Sequence, residues 1–217
     1  MQRSRRPLVI GLVAAAIGGG AVFWHKVLEE EFFPKNFGVV EEGEIYRSGQ
    51  LTERMFSKVV ADKGIKTVIA LNGGDEVSAD EAAWSKAMGV ERHVFDLIGD
   101  GTGDPNGYAA VVQLMADPAN QPVLVHCAAG AQRTATSVLL YHHLVEGVPL
   151  TESYPEMFDY GHKPKEWVML AYLVDNMDVI EAAYAARQAE SDRGDEASGE
   201  DDGRPAPAAG DADSPDA

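Results

Sequence analysis

The chain has 217 residues, a length that suits one globular domain with appendages, and its formal charge at pH 7 is −17. A chain this acidic is repelled by a phosphate backbone, which argues against nonspecific nucleic-acid binding. The lone cysteine, Cys127, excludes an internal disulfide framework, and no Cys/His cluster has zinc spacing.

At the N-terminus, Arg3, Arg5 and Arg6 precede an uncharged run over residues 7–24, and Glu29, Glu30 and Glu31 follow it. The run is close to the roughly 17–25 residues that span a bilayer. Residues 1–26 therefore read as a membrane anchor and 27–36 as a juxtamembrane linker outside the fold. The positive-inside rule leaves the N-terminus cytoplasmic and exports the rest. The alternative is a secreted domain released by signal cleavage, because Gly19, Gly20 and Ala21 offer a small-residue site.

The folded domain is expected over 37–186. Residues 37–48 read as a hairpin turning at Gly43. Thr52 caps a predicted helix over 52–63, with Met55, Phe56, Val59 and Val60 on one face and Gly64 as its stop. A strand is expected over 65–71. Ser78 and Glu81 form a capping box for a second helix ending at Met88. A third strand is expected over 90–98, with Asp96 inside it. The loop 99–105 then holds Asp100 and Asp104 among glycines, and Pro105 opens another helix. Later come a strand over 123–125, a helix over 135–146, a short helix over 151–158 and a last helix over 165–186. The last helix should bury Trp167, Leu170, Leu173, Val174 and Met177. Strands alternating with helices imply an α/β fold with a central, mainly parallel sheet flanked by helices. Ligands of such sheets bind beyond the carboxyl ends of the strands. Residues 187–217 carry ten acids and few apolar residues, and read as a disordered acidic tail.

The chemistry concentrates at His126-Cys127, where the 123–125 strand ends. Five residues separate Cys127 from Arg133 and Thr134, and an apolar helix starts at once. A strand, a tight loop and a helix N-terminus make an anion cradle. Thiols in such settings fall from about 8.5 to about 3.5–7.5. Ala128, Ala129, Gly130, Ala131 and Gln132 supply backbone N–H groups, and the planar fork of Arg133 suits two phosphate oxygens.

This His-Cys-x5-Arg-Thr pattern resembles the signature of the cysteine-dependent protein tyrosine phosphatase superfamily, most of all its dual-specificity and atypical bacterial members. Rhodaneses have one residue fewer before the arginine, and small arsenate reductases carry the motif near the N-terminus. The stretch Ile45-Tyr46-Arg47-Ser48-Gly49-Gln50 also resembles the start of such domains. The resemblance implies a phosphomonoester hydrolase, of protein-tyrosine or dual-specificity type, working through a phosphocysteine intermediate without a cofactor or metal. Cys127 would be the nucleophile, the Thr134 hydroxyl would stabilise its thiolate, and His126 would orient it. The family's general acid follows a strand on a mobile loop. Asp100 is the assignment favoured here and Asp104, which has a capping role to explain it, the alternative. Alanines replace the lysines that phosphoinositide phosphatases carry in this loop, which favours a phosphorylated protein or small phosphomonoester as partner. Tyr108, Tyr160, His162 and Lys163 could border the cleft. A catalytically weak phosphate-binding domain and a membrane-tethered adaptor are the other readings. The sequence sets no oligomeric state.

Overall fold

The computed structural model describes residues 29–73, 76–162 and 167–199. The chain enters through a short helix, α1 (Glu29–Phe32), and forms a hairpin of β1 (Gly38–Glu41) and β2 (Ile45–Ser48). Helix α2 (Glu53–Lys63), strand β3 (Thr67–Ala70), helix α3 (Glu76–Met88) and strand β4 (Glu91–Val94) follow. Then come α4 (Pro105–Ala116), β5 (Val123–His126), α5 (Gln132–Leu144), α6 (Leu150–Ser153), a 3-10 segment over Tyr154–Tyr160 and α7 (Trp167–Gly199). The sheet order is β1-β2-β5-β3-β4. Only the β1–β2 pair is antiparallel; β5 lies between β2 and β3 and is parallel to both.

Side chains of a strand alternate between faces, and the two cores divide accordingly. Ile45, Ile69, Val123 and Val125 point to the side covered by α4, α5 and α7, with Val111, Met115, Leu139 and Leu173. Tyr46, Val68 and Leu124 point to the side covered by α2, with Met55, Phe56, Val59 and Val60. The expected face of α2 is therefore the buried one. Its caps are also as read: Thr52 Oγ1 accepts from the Met55 N–H, and Gly64 closes the helix at φ 64°.

Several boundaries differ from the sequence reading. Residues 29–36 pack on the domain rather than linking it. Gly49 N donates to Lys35 O, and Thr52 Oγ1 donates to Glu30 O. The third strand ends at Val94, opposite Ala70 where β3 ends. The chain then bends, so Asp96 lies beyond the strand in an isolated bridge to Asn72. Helix α3 starts at Glu76, which puts Ser78 and Glu81 inside it and removes the capping box. A tertiary ion pair has taken Glu81 instead. The apolar stripe of α7 is Met169, Leu173 and Ile180, while Trp167 and Val174 face solvent. That helix also runs past residue 186 to Gly199, because Arg187, Gln188, Ala189 and Glu190 are good helix formers that extend it without a packed face. Gln113 Nε2 donates to Arg187 O and fastens the extension at its start. Among the described residues no helix is long and apolar enough to cross a membrane. The apolar run over 7–24 and the end of the acidic tail, 200–217, lie outside the described residues.

Candidate active site

Strand β5 delivers Cys127 to the carboxyl edge of the sheet, and the loop 127–131 leads straight into α5. Three successive loop carbonyls are held from outside by separate elements. Ala128 O accepts from the Gln50 N–H at 3.2 Å, Ala129 O from Asn36 Nδ2 at 2.7 Å and Gly130 O from Arg47 Nη2 at 3.1 Å. Carbonyls engaged on the outer side leave the peptide N–H groups for the concave side, which makes an anion nest. Gly130 sits at φ 71°, and a Cβ there would meet Gly49 N at 2.5 Å and Ser48 C at 2.7 Å. Only glycine lets the two backbones touch.

Arg47 is the largest fully buried side chain. Its second amine reaches Met157 Sδ at 3.5 Å, and the Tyr160 ring stacks on the guanidinium at 3.8 Å. Burial lowers its pKa to about 10, with Tyr160, Glu156 and Cys127 opposing the shift, so it stays charged at neutral pH. The segment read in sequence only as a family-like start thus supplies three supports: Arg47, Gly49 and Gln50.

Cys127 is buried. Burial pushes its thiol up, but the Thr134 hydroxyl and amide, the Arg133 charge and the Gly130 amide together hold the pKa below the ordinary value. The Thr134 hydroxyl, itself buried, finds no other hydrogen-bond partner. Arg133 Nη1 donates to Leu71 O and Leu97 O, each at 3.2 Å, which fixes the guanidinium between the segments that follow β3 and β4. Its Nε is buried with no acceptor among the described residues. A buried donor without a partner is costly, and an anion in the nest is a partner of the right charge.

His126 lies under the cysteine, with Nε2 3.1 Å from Glu81 Oε2. Glu81 also accepts from Arg92 Nε at 2.8 Å and Gln50 Nε2 at 2.7 Å. Burial pushes the Glu81 carboxyl up, yet the bonds to His126 and Arg92 outweigh it and hold the pKa below the usual carboxylate value. Sequence reading gave Glu81 a capping role, since an acid near a helix start gives no local signal of a partner in a distant strand. It gave Gln132 only a backbone role in the phosphate loop. That side chain accepts at Oε1 from His162 Nδ1 at 2.6 Å, and Tyr154 OH lies 2.7 Å from His162 Nε2.

The acidic loop divides the two aspartates. Asp104 Oδ1 accepts from the Asn106 N–H at 3.1 Å and caps α4, as expected. Asp100 is exposed, and its Oδ1 accepts from the Thr102 N–H and hydroxyl at 3.0 and 2.7 Å. Its neighbour Gly101 is not a free hinge. Gly101 O accepts from Tyr108 OH at 2.8 Å and from Thr136 Oγ1 at 2.9 Å, which ties the loop to α4 and α5. Tyr108 is therefore a buried anchor rather than a cleft wall, and Tyr160 lies over Arg47. Lys163 lies outside the described residues.

Residues 32–173 match the sequence profile described as the tyrosine phosphatase family. The chain belongs to this family. The match spans the nest, the arginine and the loop that carries Asp100, so the chain is a cysteine-dependent phosphatase. No curated protein matches the chain. Among solved structures, the phosphatase resembles the core catalytic domain of the PP-IP phosphatase Siw14 from S. cerevisiae, at 21% identity over 71% of this chain and 94% of that one, with a TM-score of 0.57. It resembles P. aeruginosa TpbA at 22% identity over 70% and 91%, with a TM-score of 0.58. PTPMT1 aligns at 21% identity over 71% and 99%, with a TM-score of 0.54. These likenesses establish the fold.

Proposed function

We propose that this phosphatase hydrolyses single phosphomonoesters of protein-tyrosine or dual-specificity type through a phosphocysteine. The observation that carries the reading is the nest itself: three carbonyls held outward, a lowered thiol at its base and the guanidinium of Arg133 fixed at its rim.

The chemistry follows from those groups. The Cys127 thiolate attacks phosphorus, and the ester P–O bond breaks as the S–P bond forms. The Asp100 carboxyl gives its proton to the leaving oxygen. Water then attacks phosphorus, returns a proton to Asp100 and breaks the S–P bond. Inorganic phosphate and the thiolate are released. The loop N–H groups and Arg133 hold the equatorial oxygens through both steps. Thr134 stabilises the departing thiolate, and His126, braced by Glu81, orients the cysteine.

The substrate reading rests on the loop's side chains. Ala128, Ala129 and Ala131 bring no cation to the nest, so a ring bearing several phosphates would leave charges unmatched. The related structures differ here: Siw14 is described as a PP-IP phosphatase, one TpbA structure holds pTyr, and one PTPMT1 structure holds PI(5)P. The test compares hydrolysis of an aryl phosphate, a phosphotyrosine peptide, a phosphoserine peptide and an inositol polyphosphate, with Cys127→Ser as control. The expected order puts the phosphotyrosine peptide and aryl phosphate first. Preference for the inositol polyphosphate overturns the substrate assignment. Equal hydrolysis by Cys127→Ser overturns the mechanism.

A further inference from the structure

Three large apolar side chains that flank the loops of the site are exposed and enter no catalytic step. Phe33 is 61% exposed, Ile98 58% and Trp167 72%. Each stands one or two residues from a group that touches the catalytic machinery. Lys35 lies against Gly49 beneath the phosphate loop, and Leu97 O receives Arg133. The Met169 side chain lies about 3.1 Å from the position a Gly101 Cβ would take. Phe32 and Val168, also exposed, widen the patch on either side. Between α1 and the loop opens a cavity of about 410 Å³, lined in part by Glu30, Lys35, Leu51, Trp84 and Ala128.

The chain outside the described residues says what covers this rim. The uncharged run over 7–24 ends five residues before Glu29. An extended chain reaches at most about 3.6 Å per residue, so α1 lies within roughly 18 Å of the end of that run. If the run spans a bilayer, α1 and the phosphate loop that its following residues hold are kept within that reach of the lipid surface. Trp and Phe favour the depth where headgroups meet acyl chains. Charge selects the lipid: Glu29, Glu30 and Glu31 stand beside Phe32 and Phe33, and the chain as a whole carries −17. An anionic leaflet would repel this rim.

We propose that the rim formed by Phe33, Ile98 and Trp167 docks on a zwitterionic bilayer surface, so that the cleft takes phosphomonoesters held at the lipid–water interface. The proposal rests on the phosphomonoester hydrolysis proposed above and on the reading of residues 7–24 as an anchor.

The test uses the full chain reconstituted in phosphatidylcholine vesicles. One substrate is a long-chain 4-alkylphenyl phosphate embedded in the bilayer, and the other is its short-chain, water-soluble counterpart. The double variant Phe33→Ser/Trp167→Ser should lose about tenfold on the embedded substrate, the scale of two lost aromatic contacts, and keep its rate on the soluble one. Brominated phosphatidylcholine should quench the part of the tryptophan emission that Trp167→Phe removes, independently of turnover. Replacing part of the phosphatidylcholine with phosphatidylserine should lower the embedded rate. Absence of Trp167 quenching overturns the proposal, as does recovery of a mature chain without residues 7–24. Loss on a soluble phosphotyrosine peptide instead assigns the rim to protein partners and also overturns it. Failure to hydrolyse even the soluble aryl phosphate would count against the proposed function rather than against the rim.

Discussion

Two loops meet at the mouth of this site, and they are built in opposite ways. The phosphate loop is braced by residues far from it in sequence: Asn36, Arg47 and Gln50 each hold one of its carbonyls. The acidic loop over 99–104 is closed mainly on itself, with Thr102 bonded to Asp100 and to the backbone of Ile98. Its outside ties are the two bonds to Gly101 O. The comparison separates two needs of one reaction. Charge that develops on phosphorus oxygens is best met by dipoles already in place, which requires rigid support. Asp100, the proton donor proposed above, is an exposed carboxylate on a loop tied to α4 and α5 through Gly101 O.

The comparison can be broken at its rigid side first. Cys127→Ser should lower turnover by about 10⁴-fold or more, the scale of losing a nucleophile, while vanadate still binds because the nest persists. Loss of vanadate binding as well would show that the sulfur organises the loop. Arg133→Lys should cost about 10²–10³, since an ammonium cannot bridge two oxygens as the fixed fork does.

The acidic loop comes next. Asp100→Asn should lower turnover by about 10²–10⁴ for poor leaving groups and little for an activated aryl phosphate. Asp104→Asn should leave rates unchanged because asparagine caps as well, whereas Asp104→Ala should cost about 0.5–2 kcal/mol of stability. If the leaving-group dependence follows Asp104 instead, the two roles are exchanged.

The support beneath the nest gives a pH signature. Thr134 and Arg133 hold the Cys127 thiol low against burial, so the acid limb of kcat/KM should lie below the ordinary thiol value. Thr134→Ala removes a lowering influence and should move that limb to higher pH; an unmoved limb would assign it to another group. Glu81→Leu should cost about 3–5 kcal/mol, because Arg92 and His126 lose a buried partner. The sign for Glu81 is that of a depressed carboxyl. Its stabilisation is present above the ordinary 4.5 and is lost as pH falls through the lower folded value. Acid unfolding curves of Glu81→Leu should be flatter across that window than those of the unaltered chain.

The smallest effect belongs to the tail. Ending the chain after Gly199 should leave the thermal midpoint and the aryl phosphatase rate unchanged. Ending it after Ala186 removes the bond between Gln113 and Arg187 and should lower the midpoint by a few degrees, the scale of about 1 kcal/mol in a domain of this size. Equal midpoints would mean that the extension of α7 contributes nothing.

Cys127, Arg133 and Thr134 were legible as one group because chemistry constrains type and spacing together: a cysteine at a strand end, an arginine six positions on, and a helix at once. Periodicity gave the buried face of α2, and Asp-Pro gave the cap of α4. What stayed hidden depends on topology. Arg47 looks like a surface arginine in a β-hairpin until β5 pairs with β2 and brings Gly130 over it. Glu81 looks like a helix cap until the same strand places His126 beside it. Of the stripe expected on α7, Leu173 and Met177 do pack on the core, but Trp167 and Val174 are exposed, because neighbouring registers of an apolar helix are equally hydrophobic in sequence.

The position of β5 between β2 and β3 also governs the order in which the molecule can be made. During synthesis the β1–β2 hairpin and the β3–α3–β4 unit leave the ribosome with no edge in common, since both await residues 123–126. Long-range pairing of this kind is closed late, after much of the chain exists. The strand that completes the sheet leads directly into Cys127, so an unfinished chain has neither a closed sheet nor a lowered thiol in its nest. Stalled chains ending before residue 123 should be cut throughout by protease, and those extending past α5 should resist. Protection that arises before residue 123 would show that the two halves assemble without their central strand.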